Sequence, residues 1–202
     1  DIKCDLSKEK PILPSVDIVV HAAGKAHSIP KNEAERLEFF RVNTDGSKNL
    51  VEALNQFLPK TFVFISTVAV YGKDAGVAIS DLSPLEGSTP YAKSKIEAEK
   101  LVTAWGEKYN VSTVILRLPL IAGANPPGNL ASMAKAIKAG YYVRIGKGQA
   151  KKSVVGATEV AEFLPALLGK EGIYNLTDGI HPSMKSIESC IAKNWNKSIK
   201  NL

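Results

Sequence analysis

Three apolar runs constrain this chain more than any other feature: Ile18-Val19-Val20-His21-Ala22-Ala23-Gly24, Thr61-Phe62-Val63-Phe64-Ile65-Ser66-Thr67-Val68-Ala69-Val70-Tyr71-Gly72, which turns polar at Ser66 and Thr67, and Val111-Ser112-Thr113-Val114-Ile115-Leu116-Arg117-Leu118-Pro119. Each is too continuous for a sheet with one wet face and predicts a strand buried on both sides. Between the first two, residues 32–57 place Leu37, Phe40, Val42, Leu50, Val51 and Leu54 at helical spacing among acids and lysines. Gly46 inside that stretch costs about 1 kcal/mol relative to alanine, so it marks a close helix contact or a bend. A second helical run opens at Pro90. Strands alternating with helices of this length predict βαβ units, an α/β fold built on a parallel sheet.

The rest is finer-grained. Residues 1–6 read as the tail of a strand entering a polar turn. Helices are expected at 130–138, 158–168 and after Pro182, strands at 141–145 and 173–176, and a loop at 121–128.

Composition narrows the function classes. With 202 residues and 45% hydrophobic content, the chain can bury a core without staples. Two cysteines, Cys4 and Cys190, fit a reducing, cytoplasmic compartment better than a disulfide scaffold. No apolar run reaches membrane-spanning length, so no membrane partner is expected. His21, His27 and His181 lack metal-ligand spacing, and no metal is expected. The net charge of +6 is spread over dispersed lysines, with one local cluster at Lys147, Lys151 and Lys152. A basic total without a basic stripe argues against a nucleic-acid partner, and a few lysines suit a diphosphate equally well.

The chemistry-bearing stretch is Tyr91-Ala92-Lys93-Ser94-Lys95, at the head of a helix. Four residues is about one helical turn, so Tyr91 and Lys95 share a face and can reach one bound molecule. A phenol is a weak base near neutral pH, and a nearby ammonium favours the phenolate. Alone the spacing is weak evidence, since a chain with six tyrosines produces it about once by chance. Ser66 and Thr67 fall at the carboxyl end of a strand, where ligands of open parallel sheets collect. Hydroxyls there can bond a reacting oxygen, or simply satisfy backbone groups. The small residues Ala22, Ala23 and Gly24 after the first strand would let a ligand approach the backbone closely, or be a plain exit to a loop.

Taken in order, these segments resemble an extended short-chain dehydrogenase/reductase of the NAD-dependent epimerase/dehydratase family. Asp5-Leu6 is similar to the pair that contacts adenine, and His21-Ala22-Ala23-Gly24 to the loop along the dinucleotide. Asn43-x-x-Gly46-Ser47-x-Asn49-Leu50 resembles the helix that follows. Ser66-Thr67-x-x-x-Tyr71-Gly72 resembles the strand end with the catalytic hydroxyl, which falls on Thr67. Tyr91-x-x-x-Lys95 resembles the catalytic pair, and Arg117-x-x-x-x-x-Gly123 the segment under the nicotinamide.

The resemblance implies a Rossmann-like, doubly wound parallel sheet over residues 1–123, with a smaller substrate-binding region over 124–202 interleaved with it. It implies NAD as cofactor, with NADP left open. The cofactor would be held by Asp5, Leu6, His21, Ala22, Ala23, Gly24, Asn43, Ile65, Ser66, Tyr91, Lys95, Pro119 and Leu120. Catalysis would rest on Tyr91, Lys95 and Thr67. A nucleotide-sugar substrate would be held by Thr67, Asn129, Leu130 and Lys152, in an enzyme of polysaccharide biosynthesis that forms a homodimer when intact.

Two departures narrow this. Dehydratases of the family carry an acidic pair after the catalytic threonine, and Val68 and Ala69 here cannot exchange protons. Dehydration is therefore disfavoured, leaving 4-epimerisation of a UDP-sugar, with 4-reduction of a keto-sugar as the alternative. An asparagine common three residues after the arginine is Leu120 here. The family's glycine-rich pyrophosphate turn is not found in residues 1–202. The expectation is an N-terminally incomplete sheet, truncated also at its C-terminal end, with an unpaired edge and weak NAD affinity; a non-catalytic fragment or binding protein is the alternative of another class.

Overall fold

The computed structural model describes all residues but Asn125, Pro127 and Leu202; the first two belong to the loop expected at 121–128. The chain divides into two compact units, one of residues 1–118 and 162–176, the other of residues 119–161 and 177–202.

The first unit is built on a four-stranded, wholly parallel sheet in the order β1-β2-β3-β7, with β1 at Ile18–His21, β2 at Thr61–Thr67, β3 at Ser112–Leu118 and β7 at Gly172–Asn175. The central strand β2 is buried on both faces, as its composition demanded: Phe62, Val63 and Phe64 are fully inaccessible. The edge strand β1 is not, since Val20 is 38% exposed. The opening residues form no strand; residues 1–5 are irregular and Leu6 starts a turn. Leu6 is instead held by Asn49, whose Nδ2 donates to its carbonyl at 2.7 Å.

Three helices serve the sheet. α1, Glu33–Phe40, is capped by Asn32, and α2 is Gly46–Leu54. The expected continuous helix is interrupted between them by a π-helical turn, Arg41–Asp45. Gly46 follows that turn with Leu6 packed on it: a Cβ at Gly46 would sit 3.5 Å from the Leu6 side chain. α3, Pro90–Tyr109, starts with proline in its first turn and Thr89 accepting the Ala92 N–H at 3.1 Å, and ends at Asn110 in the left-handed conformation. Leu50, Val51 and Leu54 of α2 close with Ala98, Val102 and Trp105 of α3 over Phe62, Phe64 and Ile115.

The second unit holds two short parallel pairs: β4, Leu120–Ala122, with β6, Val154–Gly156, and β5, Val143–Arg144, with β8, Lys200–Asn201. α4 is Gly128–Ala139 and α6 is Met184–Asn194. Glu188 of α6 accepts from Arg144 Nε at 2.5 Å and from Tyr142 at 2.9 Å, a buried pair that anchors β5 to α6. α5, Ala157–Phe163, leaves this unit for the first and continues as a 3-10 turn, Leu164–Leu167.

Candidate active site

The site lies at the carboxyl end of β2. The strand ends at Thr67, whose Oγ1 accepts the Ala69 N–H at 3.2 Å and starts a 3-10 turn, Val68–Tyr71. The turn closes on Gly72 at φ 65°, where a Cβ would overlap the Glu86 carbonyl. Val68 and Ala69 thus stand in a turn beside the site and offer no carboxylate.

Tyr91 sits in the first turn of α3, half-buried, with the Phe39 ring 6.3 Å away. Burial holds its hydroxyl above the ordinary phenol range, and the Thr67 hydroxyl works the other way, as a hydrogen-bond partner of the phenolate. Lys95 is buried, donates to the Ile65 carbonyl at 2.6 Å and lies 3.8 Å from the centre of the Phe64 ring. Burial brings its pKa down to about 8, against the pull of Glu99, so Lys95 is an ammonium at neutral pH. Thr67 thus acts on the tyrosine, while Lys95, one turn along α3, has its ammonium on Ile65 and Phe64.

The residues expected along the cofactor take varied places. His21 is buried, its Nε2 2.9 Å from Ser47 Oγ. Ser47 gives its proton to the Asn43 carbonyl at 2.6 Å, so the histidine Nε2 carries the hydrogen and donates. Burial, with the Lys95 charge, takes the His21 pKa down to about 4 and keeps the ring neutral. Ala22, Ala23 and Gly24 are exposed. Asn43 braces the loop beyond them from both sides: it accepts the Lys25 N–H at 2.7 Å, donates to the Lys25 carbonyl at 3.0 Å and to Ser94 at 2.9 Å. A Cβ at Gly24 would lie 3.0 Å from Asn43 Oδ1, so this stretch keeps its backbone bare, which fits close passage of a dinucleotide. Asp5 is exposed; hydrogen bonds from Ser7, then Lys8, hold its pKa down to about 2. Ile65 meets Lys95 through its carbonyl, and Ser66 points its hydroxyl at Glu99.

Pro119, Leu120, Asn129, Leu130 and Lys152 belong to the second unit. Pro119 is half-buried and Asn129 exposed, Leu120 opens β4 with its N–H on the Ser153 carbonyl at 3.3 Å, and Leu130 is buried in α4. Lys152 is exposed, its N–H on the Pro182 carbonyl at 3.0 Å.

Sequence reasoning missed Glu99. It lies one turn beyond Lys95, is 3% exposed, and accepts from Ser66 at 2.5 Å and from Arg117 Nε and Nη2 at 3.2 and 2.8 Å. The available signal was Arg117 itself, a cation inside a buried strand that requires a buried acid. A cavity of about 460 Å³ opens at the amino ends of β3 and β7, opposite to these hydroxyls, and holds none of them. Among the described residues no three His, Cys, Asp or Glu side chains gather to hold a metal, and no helix is long and apolar enough to cross a membrane.

Residues 2–177 match the model of the NAD dependent epimerase/dehydratase family. The chain is 30% identical over 168 residues to a UDP-glucose 4-epimerase of Vibrio cholerae, covering 81% of this chain and 51% of that protein. It is 32% identical over 167 residues to a human dTDP-D-glucose 4,6-dehydratase, covering 80% and 47%. The structure superposes on the Thermus thermophilus UDP-glucose 4-epimerase in complex with NAD with a TM-score of 0.78 at 26% identity, over 92% of this chain and 64% of that one. The chain spans about half the length of the curated relatives it matches. With the hydroxyl pair, the lysine and the parallel sheet that carries them, this places the chain in the NAD dependent epimerase/dehydratase family.

Proposed function

We propose that the protein carrying this chain is a nucleotide-sugar 4-epimerase, acting on a UDP-sugar through a 4-keto form. The observation that carries this reading is the placement of Thr67 at the end of β2 and Tyr91 in the first turn of α3, the Thr67 hydroxyl lowering the tyrosine's pKa, with Lys95 one turn along α3 and uncharged Val68 and Ala69 following Thr67. A dehydratase needs an acid and a base to remove water, and positions 68 and 69 supply neither. The relatives named as UDP-glucose 4-epimerases support the choice of nucleotide sugar.

Ala22, Ala23, Gly24, Asn43 and Lys95 would hold NAD, which when bound would supply the removal and return of hydride at C4. The chain's own residues move the proton. Tyr91, in its ionised form, takes the proton of the C4 hydroxyl and returns it to the keto oxygen, and Thr67, which favours that form against the pull of burial, hydrogen-bonds that same oxygen. Lys95 fixes a positive charge beside the reacting centre.

The test is incubation of the protein with NAD and a panel of UDP-hexoses, and separately with NAD(P)H and a UDP-4-keto-hexose, followed by NMR of the sugar and absorbance of the reduced nicotinamide. Inversion at C4 without net change in absorbance is the expected result. Stoichiometric consumption of NAD(P)H would make it a keto-sugar reductase, and no turnover of any nucleotide sugar would overturn the enzyme reading.

A further inference from the structure

The parallel register sets three polar side chains in a row across the carboxyl ends of the sheet, Ser66 of β2 beside Arg117 of β3 beside Asn175 of β7. One pleat earlier on the same face the row is Phe64, Ile115 and Ile173, apolar and packed under α3. A single carboxylate, Glu99 of α3, reaches the polar row and takes both Ser66 and Arg117. Arg117 Nη1 then donates to Tyr71 Oη and to the Asp81 carbonyl, each at 2.9 Å; Tyr71 donates to Asn175 Oδ1 at 2.6 Å, and Asn175 Nδ2 to the Ile79 carbonyl at 3.1 Å. Among the described residues no buried side-chain nitrogen or oxygen lacks a partner, and Arg117, Tyr71, Ser66 and Glu99 are all buried.

We propose that Glu99 is a positioning residue of this active site, fixing the strand end that carries Thr67 against the helix that carries Tyr91 and Lys95. Ser66 is the residue before Thr67, and Glu99 follows Lys95 by one turn, so the Ser66–Glu99 bond ties the two catalytic elements within one residue and one turn of the reacting groups. Arg117 orients the carboxylate from the far side with two parallel bonds, and its third contact locks the turn through Tyr71. Glu99 has a second, electrostatic effect. The groups facing Lys95 are Glu99 from its own helix, His21 from β1, and the Phe64 ring and Ile65 carbonyl from β2. His21 is neutral above about pH 4, which leaves Glu99 as the charge that sustains the ammonium. A fold held only by apolar packing would do as well with a buried Leu–Met pair at these two positions, because replacing a buried ion pair with apolar groups is often neutral or stabilising.

The inference rests on the epimerase reading, and the test separates the two. Glu99→Gln, Glu99→Asp and the double variant Glu99→Leu with Arg117→Met are compared with wild type for kcat, KM, urea midpoint and the Lys95 titration, the last by NMR of the lysine side chain without substrate. The expected result is that Glu99→Gln lowers kcat about 100-fold with KM nearly unchanged, and that Lys95 titrates at lower pH. Glu99→Asp recovers part of kcat, and the double variant keeps the wild-type urea midpoint while kcat stays low. A double variant turning over at the wild-type rate would overturn the proposal, as would an unmoved Lys95 titration in Glu99→Gln. Failure of the epimerase reading would show instead as wild-type protein without C4 inversion, and would leave the Lys95 titration intact as a readout.

Discussion

Replacing Lys95 with methionine should stabilise the protein at neutral pH, and by an amount that fades as the pH rises. The Lys95 ammonium is 5% exposed and burial lowers its pKa from 10.5 to about 8. That difference corresponds to about 3 kcal/mol. The sign follows from linkage: the unfolded chain holds the extra proton between pH 8 and 10.5, so the folded state gains stability with rising pH across that window. Below pH 8 the full penalty of burying the charge is present; above 10.5 it is gone. Methionine fills the space without the charge but leaves the Ile65 carbonyl without this donor, a loss of about 1 kcal/mol. The variant should therefore be more stable than wild type by about 2 kcal/mol at pH 7 and about 1 kcal/mol less stable near pH 11. Urea unfolding of both proteins at intervals from pH 7 to 11 measures this directly. A stability difference that stays constant across the range, or a methionine variant that is the weaker at pH 7, would refute the reasoning.

Two further outcomes follow from the site. Thr67 draws the Tyr91 pKa down, so Thr67→Ala should move the rising limb of the pH–rate profile to higher pH while Thr67→Ser leaves it in place; superimposable profiles for all three would contradict the pairing. Gly72→Ala combines a left-handed conformation with overlap against the Glu86 backbone, and should cost at least about 2 kcal/mol in urea unfolding. A loss below about 0.5 kcal/mol would show that the turn after Thr67 yields freely.

Much of this architecture was legible in the residues because burial on both faces leaves a clear mark. The apolar runs gave β2 and β3, and the capping residues Thr89 and Pro90 with the periodic stretch after them gave α3. The ends of β1 were less clear, since Ala22, Ala23 and Gly24 are apolar by composition yet exposed in the structure. Residues 1–5 are irregular rather than the tail of a strand, with two aspartates and a lysine among the five, residue types depleted in strands. β4, β6 and β8 are two or three residues long, too short for any period to show. The π turn at Arg41–Asp45 also left no signal beyond Gly46, because its residues continue the helical pattern.

The proposed catalytic trio was legible as spacing and chain order, which locate side chains on a helix face and at a strand end. Its electrostatics were not. Lys95 was expected to act on Tyr91, and the fold directs its ammonium to Ile65 and Phe64 because the lysine enters the core one turn below the tyrosine. Arg117 advertised a buried partner, but with 20 acids in the chain nothing in the sequence chose Glu99, 18 residues earlier on a different element. Such pairings are decided by how helix and sheet pack.

The central claim is that Tyr91 moves the proton at the sugar hydroxyl. It is tested most directly by the turnover of Tyr91→Phe, which keeps the ring against Phe39 and removes only the hydroxyl. The account predicts that C4 inversion of the UDP-sugar falls by about 10²–10⁴-fold with the urea midpoint little changed. Inversion at the wild-type rate would contradict it.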